Sequence, residues 1–335
     1  LKRPTVQDWD KVNQLVPRLV DVLPNGPNGY STAQFFLAGG VPELMLKLRD
    51  LDLLETNALT CTGLTIEDNL NAWEKSDRRK KFQEILFKQD KVDPNEVIYS
   101  KDRAMAKGMT STLCFPIGNL APEGAVIKST AIDSSVVDTD GVYRLTGPAK
   151  VFSTEKDAVR AVKGLGNKII EKGDVIILYG RGPIGAGMEE VAQVALALKH
   201  LDWGKHVALL TDARFSGVSS GACIGHISPE ALANGPIGKI RDGDFIRIEI
   251  DREKLCGSIN FIGSENQKLD ENSAKTELNN RKLNQELCHD PRIHNDTRLW
   301  ATLQNVGGGA WGGCIYDTDK IIETINAGMD ALGKK

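Results

Sequence analysis

The sequence lacks a strong charge of either sign, a long apolar run and any close pair of cysteines. Lys and Arg number 42 against 45 Asp and Glu, a net charge of −3 over 335 residues. Neither nucleic acid nor an anionic membrane is implied as a partner. No apolar stretch is long enough to span a bilayer, and the opening Leu-Lys-Arg-Pro is not a signal peptide. The six cysteines, Cys61, Cys114, Cys223, Cys256, Cys288 and Cys314, are scattered. With no C-x-x-C pair a zinc site is not expected, and the pattern predicts a reducing, cytoplasmic setting with free thiols. There is no internal repeat. An initiator methionine is also lacking, so a fragment of a longer protein is expected.

The length suffices for two domains and a sizeable core. Residues 1–95 read as helical. Trp9, Val12, Leu15, Val16, Leu19 and Val20 share one helical face, which Pro17 would bend or break. Ser31 can cap a short helix ending at Gly39-Gly40, and Pro42 opens another. Thr65-Ile66-Glu67-Asp68 resembles a capping box. The basic run Arg78-Arg79-Lys80-Lys81 reads as a solvated helix face.

From about residue 96 the pattern changes to strands, at 125–128, 141–145, 174–179, 207–210, 244–250 and 255–261. Helices are expected at 154–164 and 188–201. Residues 264–290 are polar and rich in Asn, Lys and Glu, which reads as a surface helix with flexible ends, or a linker. The fold class is α/β or α+β, with a β-rich body able to close into a barrel.

The chain is organised around residues 206–233. An apolar run at 207–210 feeds Thr211-Asp212-Ala213-Arg214-Phe215-Ser216-Gly217 and a loop dense in Gly and Ser. Ser228-Pro229-Glu230 reads as a helix start. Gly217, Gly221 and Gly225 would let backbone N–H groups approach a small anion, or would simply make a turn needing positive φ. Ser216 does not fit the G-x-S-x-G elbow of hydrolases. Alone it reads as a turn residue, and it would act as a base only beside a cation or oriented N–H dipoles. His226 reads as structural.

A second Gly-rich loop, 182–190, also follows an apolar strand and ends on Glu189-Glu190. Acids there suit a helix dipole, and they are also hard oxygen donors of the kind Mg2+ prefers. Both loops should open on one sheet edge, placing Glu190 and Ser216 in one pocket. Glu123 reads as a turn residue and Cys61 as a lone buried thiol.

These segments resemble the dihydroxy-acid dehydratase and phosphogluconate dehydratase family. TDARFSGVSSGACIGHISPEA, GNLAPEGAVIK, GPAKVFSTEKDAV and GPIGAGMEE stand in the family's order. LAGGVPELM and LTCTGLTIEDNL fit its N-terminal part, and NDTRLWATLQNVGGGAWGGCIYDTDKI looks like its sugar-acid, xylonate-type branch. The resemblance implies hydro-lyases that convert a 2,3-dihydroxy acid to a 2-oxo acid with an iron–sulfur cluster and Mg2+. It implies Ser216 as the base at C2 and Glu190 as a Mg2+ ligand, with Arg214, Gly217 and Ser219 binding substrate. It also implies a C-terminal swivelling β/β/α barrel-like domain over 96–335, with a polar insert at about 264–290. Residues 1–95 would be the end of a larger N-terminal α/β domain.

None of the six cysteines matches a cluster ligand of the family. Those cysteines and the other Mg2+ ligands, among them a modified Lys, are expected upstream of Leu1. Two readings follow. In one, the chain is the C-terminal portion of a sugar-acid dehydratase, partnered by a cluster-bearing half or assembled as a homo-oligomer. In the other, it is an inactive sugar-acid binder or interaction protein of the same fold.

Overall fold

The computed structural model describes residues 5–109 and 111–333; residues 1–4, read above as no signal peptide, lie outside them. The chain forms two compact units, Leu1–Thr112 and Leu113–Lys335.

The first unit is helical. Helix α1 (Val6–Leu15) starts in a capping box between Thr5 and Asp8. It does not run on to Val20, because the residue before a proline disfavours the α region. Val16 is already extended, and Val20 forms an isolated antiparallel bridge to Ile98. Trp9, Val12 and Leu15 are more than half exposed, so of the predicted apolar face it is Leu19, beyond the helix, that is buried in a core. Helix α2 (Thr32–Leu37) is capped by Ser31 and Gln34, and α3 (Gly40–Arg49) follows directly. The box at Thr65 and Asp68 opens α4 (Ile66–Lys75).

Helices α5 (Asp77–Asp90), α6 (Pro94–Val97) and α7 (Lys101–Ala106) complete the unit. The basic run on α5 is not all solvated face. Arg79 makes a bidentate pair with the buried Glu43, at 2.6 and 2.9 Å. Cys61 is exposed, against the expectation of a buried thiol.

The second unit is a mixed α/β body on one curled nine-stranded sheet, in spatial order β1-β2-β6-β5-β4-β3-β7-β8-β9. In chain order it comprises β1 (Leu113–Cys114), β2 (Gly124–Lys128), β3 (Val142–Phe152), α8 (Glu155–Val162), β4 (Val175–Leu178), α9 (Pro183–Ala186), α10 (Gln193–Lys199), β5 (Ala208–Thr211), β6 (Ala222–Ser228), β7 (Asp244–Asp251), β8 (Cys256–Ser264), β9 (Gln267–Lys268), α11 (Glu271–Asn280), α12 (Asn295–Val306) and α13 (Thr318–Ala331).

Strands β3, β4, β5 and β6 pair in parallel, with antiparallel wings on both sides. Val-Ile-Ile-Leu of β4 and Ala-Leu-Leu-Thr of β5 are buried throughout, as central parallel strands covered on both faces must be. Strand β7 alternates instead, Ile246, Ile248 and Ile250 facing inward between Arg247 and Glu249. The sheet curls far enough for Ile117 to bridge Ser258 of β8.

Two expectations change here. Residues 222–228 are a strand rather than loop, and Ser228-Pro229-Glu230 leads only into a short 3-10 turn, Ala231–Ala233. The stretch 264–290 is no hanging linker, because Ala274 and Leu278 of α11 are buried in the main core.

Candidate active site

Strands β4 and β5 are parallel neighbours, so the loops that follow them leave the same sheet edge. Four acidic side chains and one arginine fasten the backbone around these loops. Asp212, fully buried, accepts N–H bonds from Gly180 at 3.0 Å, Arg181 at 2.9 Å and Ala231 at 2.9 Å. Glu230 accepts from Ile184 at 2.9 Å and from Gly185 at 3.2 Å. Burial pushes the Asp212 carboxyl upward, against its backbone bonds. Burial, reinforced by Asp212, pushes Glu230 up to about 7. Arg181 donates to Glu189 at 2.5 Å and to the buried Asp290 at 2.8 Å.

These bonds separate the two adjacent acids. Glu189 is committed to Arg181. Glu190 is half exposed and, among the described residues, its carboxylate meets only the exposed Arg214 guanidinium, at 3.4 Å. Arg214 also carries the link between the loops. It pairs with Glu190 in a parallel bridge: its N–H donates to Glu189 O at 3.3 Å, and its carbonyl accepts from Val191 N–H at 2.9 Å. Its Nε donates to Met188 O at 3.0 Å.

Two residues on, Ser216 sits half-buried in a turn closed by Ser219 N–H on Ser216 O at 3.1 Å. Ser216 lines a cavity of about 150 Å3 with Lys128, Phe215, Gly217, Ser219 and His226. Glu190 does not line it; its segment reaches the Ser216 loop through Arg214.

Of the three glycines, only Gly221 has positive φ, +87°. Gly225 lies in β6, where an added Cβ would stand 3.0 Å from the Phe215 ring. His226 is held through its backbone: its N–H donates to Ala213 O at 2.7 Å, and its carbonyl accepts from Trp311 Nε1 at 2.8 Å. Burial, then Arg214, lowers its pKa and keeps the ring neutral. Glu123 does more than turn the chain, since it accepts a 2.5 Å bond from Ser228 Oγ. Asp212, Glu230 and Lys128 escaped the sequence reading. The first two looked like a loop residue and an acid in a helix's first turn, and Lys128 like a strand end.

Among the described residues the donor set for the metal groups the resemblance implies is incomplete. Among the described residues no three His, Cys, Asp or Glu side chains gather as a metal site. None of the six cysteines is in a disulfide, and they are dispersed. Glu190 offers a single carboxylate.

The chain belongs to the dihydroxy-acid/6-phosphogluconate dehydratase family. Residues 96–303 match the family's C-terminal description and residues 3–69 its N-terminal one. It is similar to the D-xylonate dehydratases YagF and YjhG of Escherichia coli. Identity is 56% over 98% of this chain and 50% of YagF, and 54% over 95% of this chain and 48% of YjhG. A dihydroxy-acid dehydratase of Dinoroseobacter shibae is 34% identical over 97% of this chain and 49% of its own length. The chain thus spans about half the length of these curated relatives.

Proposed function

We propose that this chain is the C-terminal portion of a sugar-acid dehydratase, a hydro-lyase that converts an aldonate such as D-xylonate into a 2-oxo acid. The observation that carries this reading is the Arg214 bridge, which joins the Glu190 segment to the Ser216 turn at the ends of adjacent parallel strands. In this reading the second unit is the family's swivelling barrel-like domain, within a 96–335 domain that follows the end of an N-terminal α/β domain. The assembly is a homo-oligomer or includes a cluster-bearing half.

Ser216 is the base. Its alkoxide takes the proton from C2, and departure of the C3 hydroxyl leaves an enol that tautomerises to the 2-oxo acid. Arg214 is a cation available to the substrate carboxylate, and the Gly217 and Ser219 positions leave room for a polyol. Glu190, with no strong partner of its own, is one candidate oxygen ligand for Mg2+. Family resemblance adds the iron–sulfur cluster, whose ligands are not among the described residues.

The test is formation of 2-oxo acid from D-xylonate by the cluster-loaded enzyme. Ser216→Ala is expected to lower kcat by on the order of a thousandfold. Unchanged turnover would remove Ser216 from the mechanism. Colourless, iron-free protein that binds D-xylonate without turnover would favour the binder instead.

A further inference from the structure

The cavity at Ser216 holds one group that the proton transfer at C2 leaves unassigned. Lys128 ends β2, and its side chain reaches the loop after β5, 89 residues on, where Nζ donates to the Gly217 carbonyl. That loop has few other ties. Gly221 N–H donates to Ala131 O at 2.8 Å, and Val218 N–H reaches Ser216 Oγ only at 3.4 Å. Nothing lies within 4 Å of where a Cβ on Gly217 or Gly221 would stand, so packing does not hold the turn.

Among the described residues the titratable groups acting on Lys128 are the Cys223 thiol of β6 and Lys199 of α10, with no carboxylate among them. Burial pushes the Cys223 thiol up to about 12, and His226 is held neutral. Burial also lowers the Lys128 pKa, as befits a cation without a counter-ion. A positive charge in a partly desolvated cavity favours an alkoxide over its hydroxyl, the released proton passing to solvent.

We propose that Lys128 is a positioning residue for Ser216: it fastens the Ser216–Gly217 turn to β2 and sets an uncompensated positive charge in the cavity that the Ser216 hydroxyl lines. The base role comes from the dehydratase reading; the tether does not depend on it.

The test compares Lys128→Met and Lys128→Arg with the unaltered protein by hydrogen exchange. The Val218, Ser219 and Gly221 amides should exchange on the order of tenfold faster in Lys128→Met and near the original rate in Lys128→Arg. Amides of β4 should keep their protection in both, which shows that the fold is intact. In the cluster-loaded enzyme, Lys128→Met should move the rise of kcat to higher pH with KM little changed, and Lys128→Arg should restore the profile. Unchanged exchange at 218–221, or an unchanged pH profile, overturns the proposal. An inactive unaltered enzyme overturns the dehydratase reading instead, and the exchange arm still decides the role of Lys128.

Discussion

The loop after β4 and the loop after β5 leave one sheet edge side by side, yet they are held in opposite ways. The first is locked by buried charge: Asp212 and Glu230 collect its N–H groups, and Arg181 spans Glu189 and Asp290. The second is a turn of glycine and serine with sparse bonds and a lysine tether. A socket of fixed backbone beside a lightly held hydroxyl suits a site in which one wall must not move and one group must adjust.

The largest effect should come from unlocking the first loop. Asp212→Ala strands three buried N–H donors and should cost roughly 4 kcal/mol, read as a lower urea midpoint. A cost below about 1 kcal/mol would mean that water replaces the carboxylate and the contrast between the loops is overdrawn.

Glu230 sharpens the same contrast through pH. Its carboxyl rises from 4.5 to about 7 on folding. A raised acid stabilises the fold below its unfolded pKa, and that contribution is lost as pH climbs through the folded value. Stability should fall by on the order of 3 kcal/mol between pH 4.5 and 7, and Glu230→Gln should flatten that slope. Denaturant titrations of both proteins across this window decide it.

The smallest effects belong to the second loop and its neighbour. Ser216→Ala and Glu190→Gln should each change stability by less than about 0.5 kcal/mol, because the Arg214–Glu190 pair is long and exposed. A shift of 2 kcal/mol or more in thermal unfolding would recast either residue as structural.

Much of the frame was legible locally. The apolar runs at 174–179 and 207–210 announced β4 and β5, and the caps at Ser31 and Thr65 stand where their spacing put them. Strand β6 was hidden because Gly-Ala-Cys-Ile-Gly offers little alternation, and its pairing with β5 and β2 comes from the sheet. Glu230 looked like an acid placed for a helix dipole, whereas its partners are amides 45 and 46 residues away. The Arg79–Glu43 and Arg181–Asp290 pairs span 36 and 109 residues, distances over which periodicity carries no signal.

The Arg181–Asp290 bond also sets a minimum length for an autonomous folding piece. A version of the second unit truncated before residue 290 would leave the buried Arg181 guanidinium with Glu189 as its one carboxylate among the described residues and slacken the segment bearing Glu189 and Glu190, even with every sheet strand present. The working boundary of this body is set by a charge partner well past its last strand.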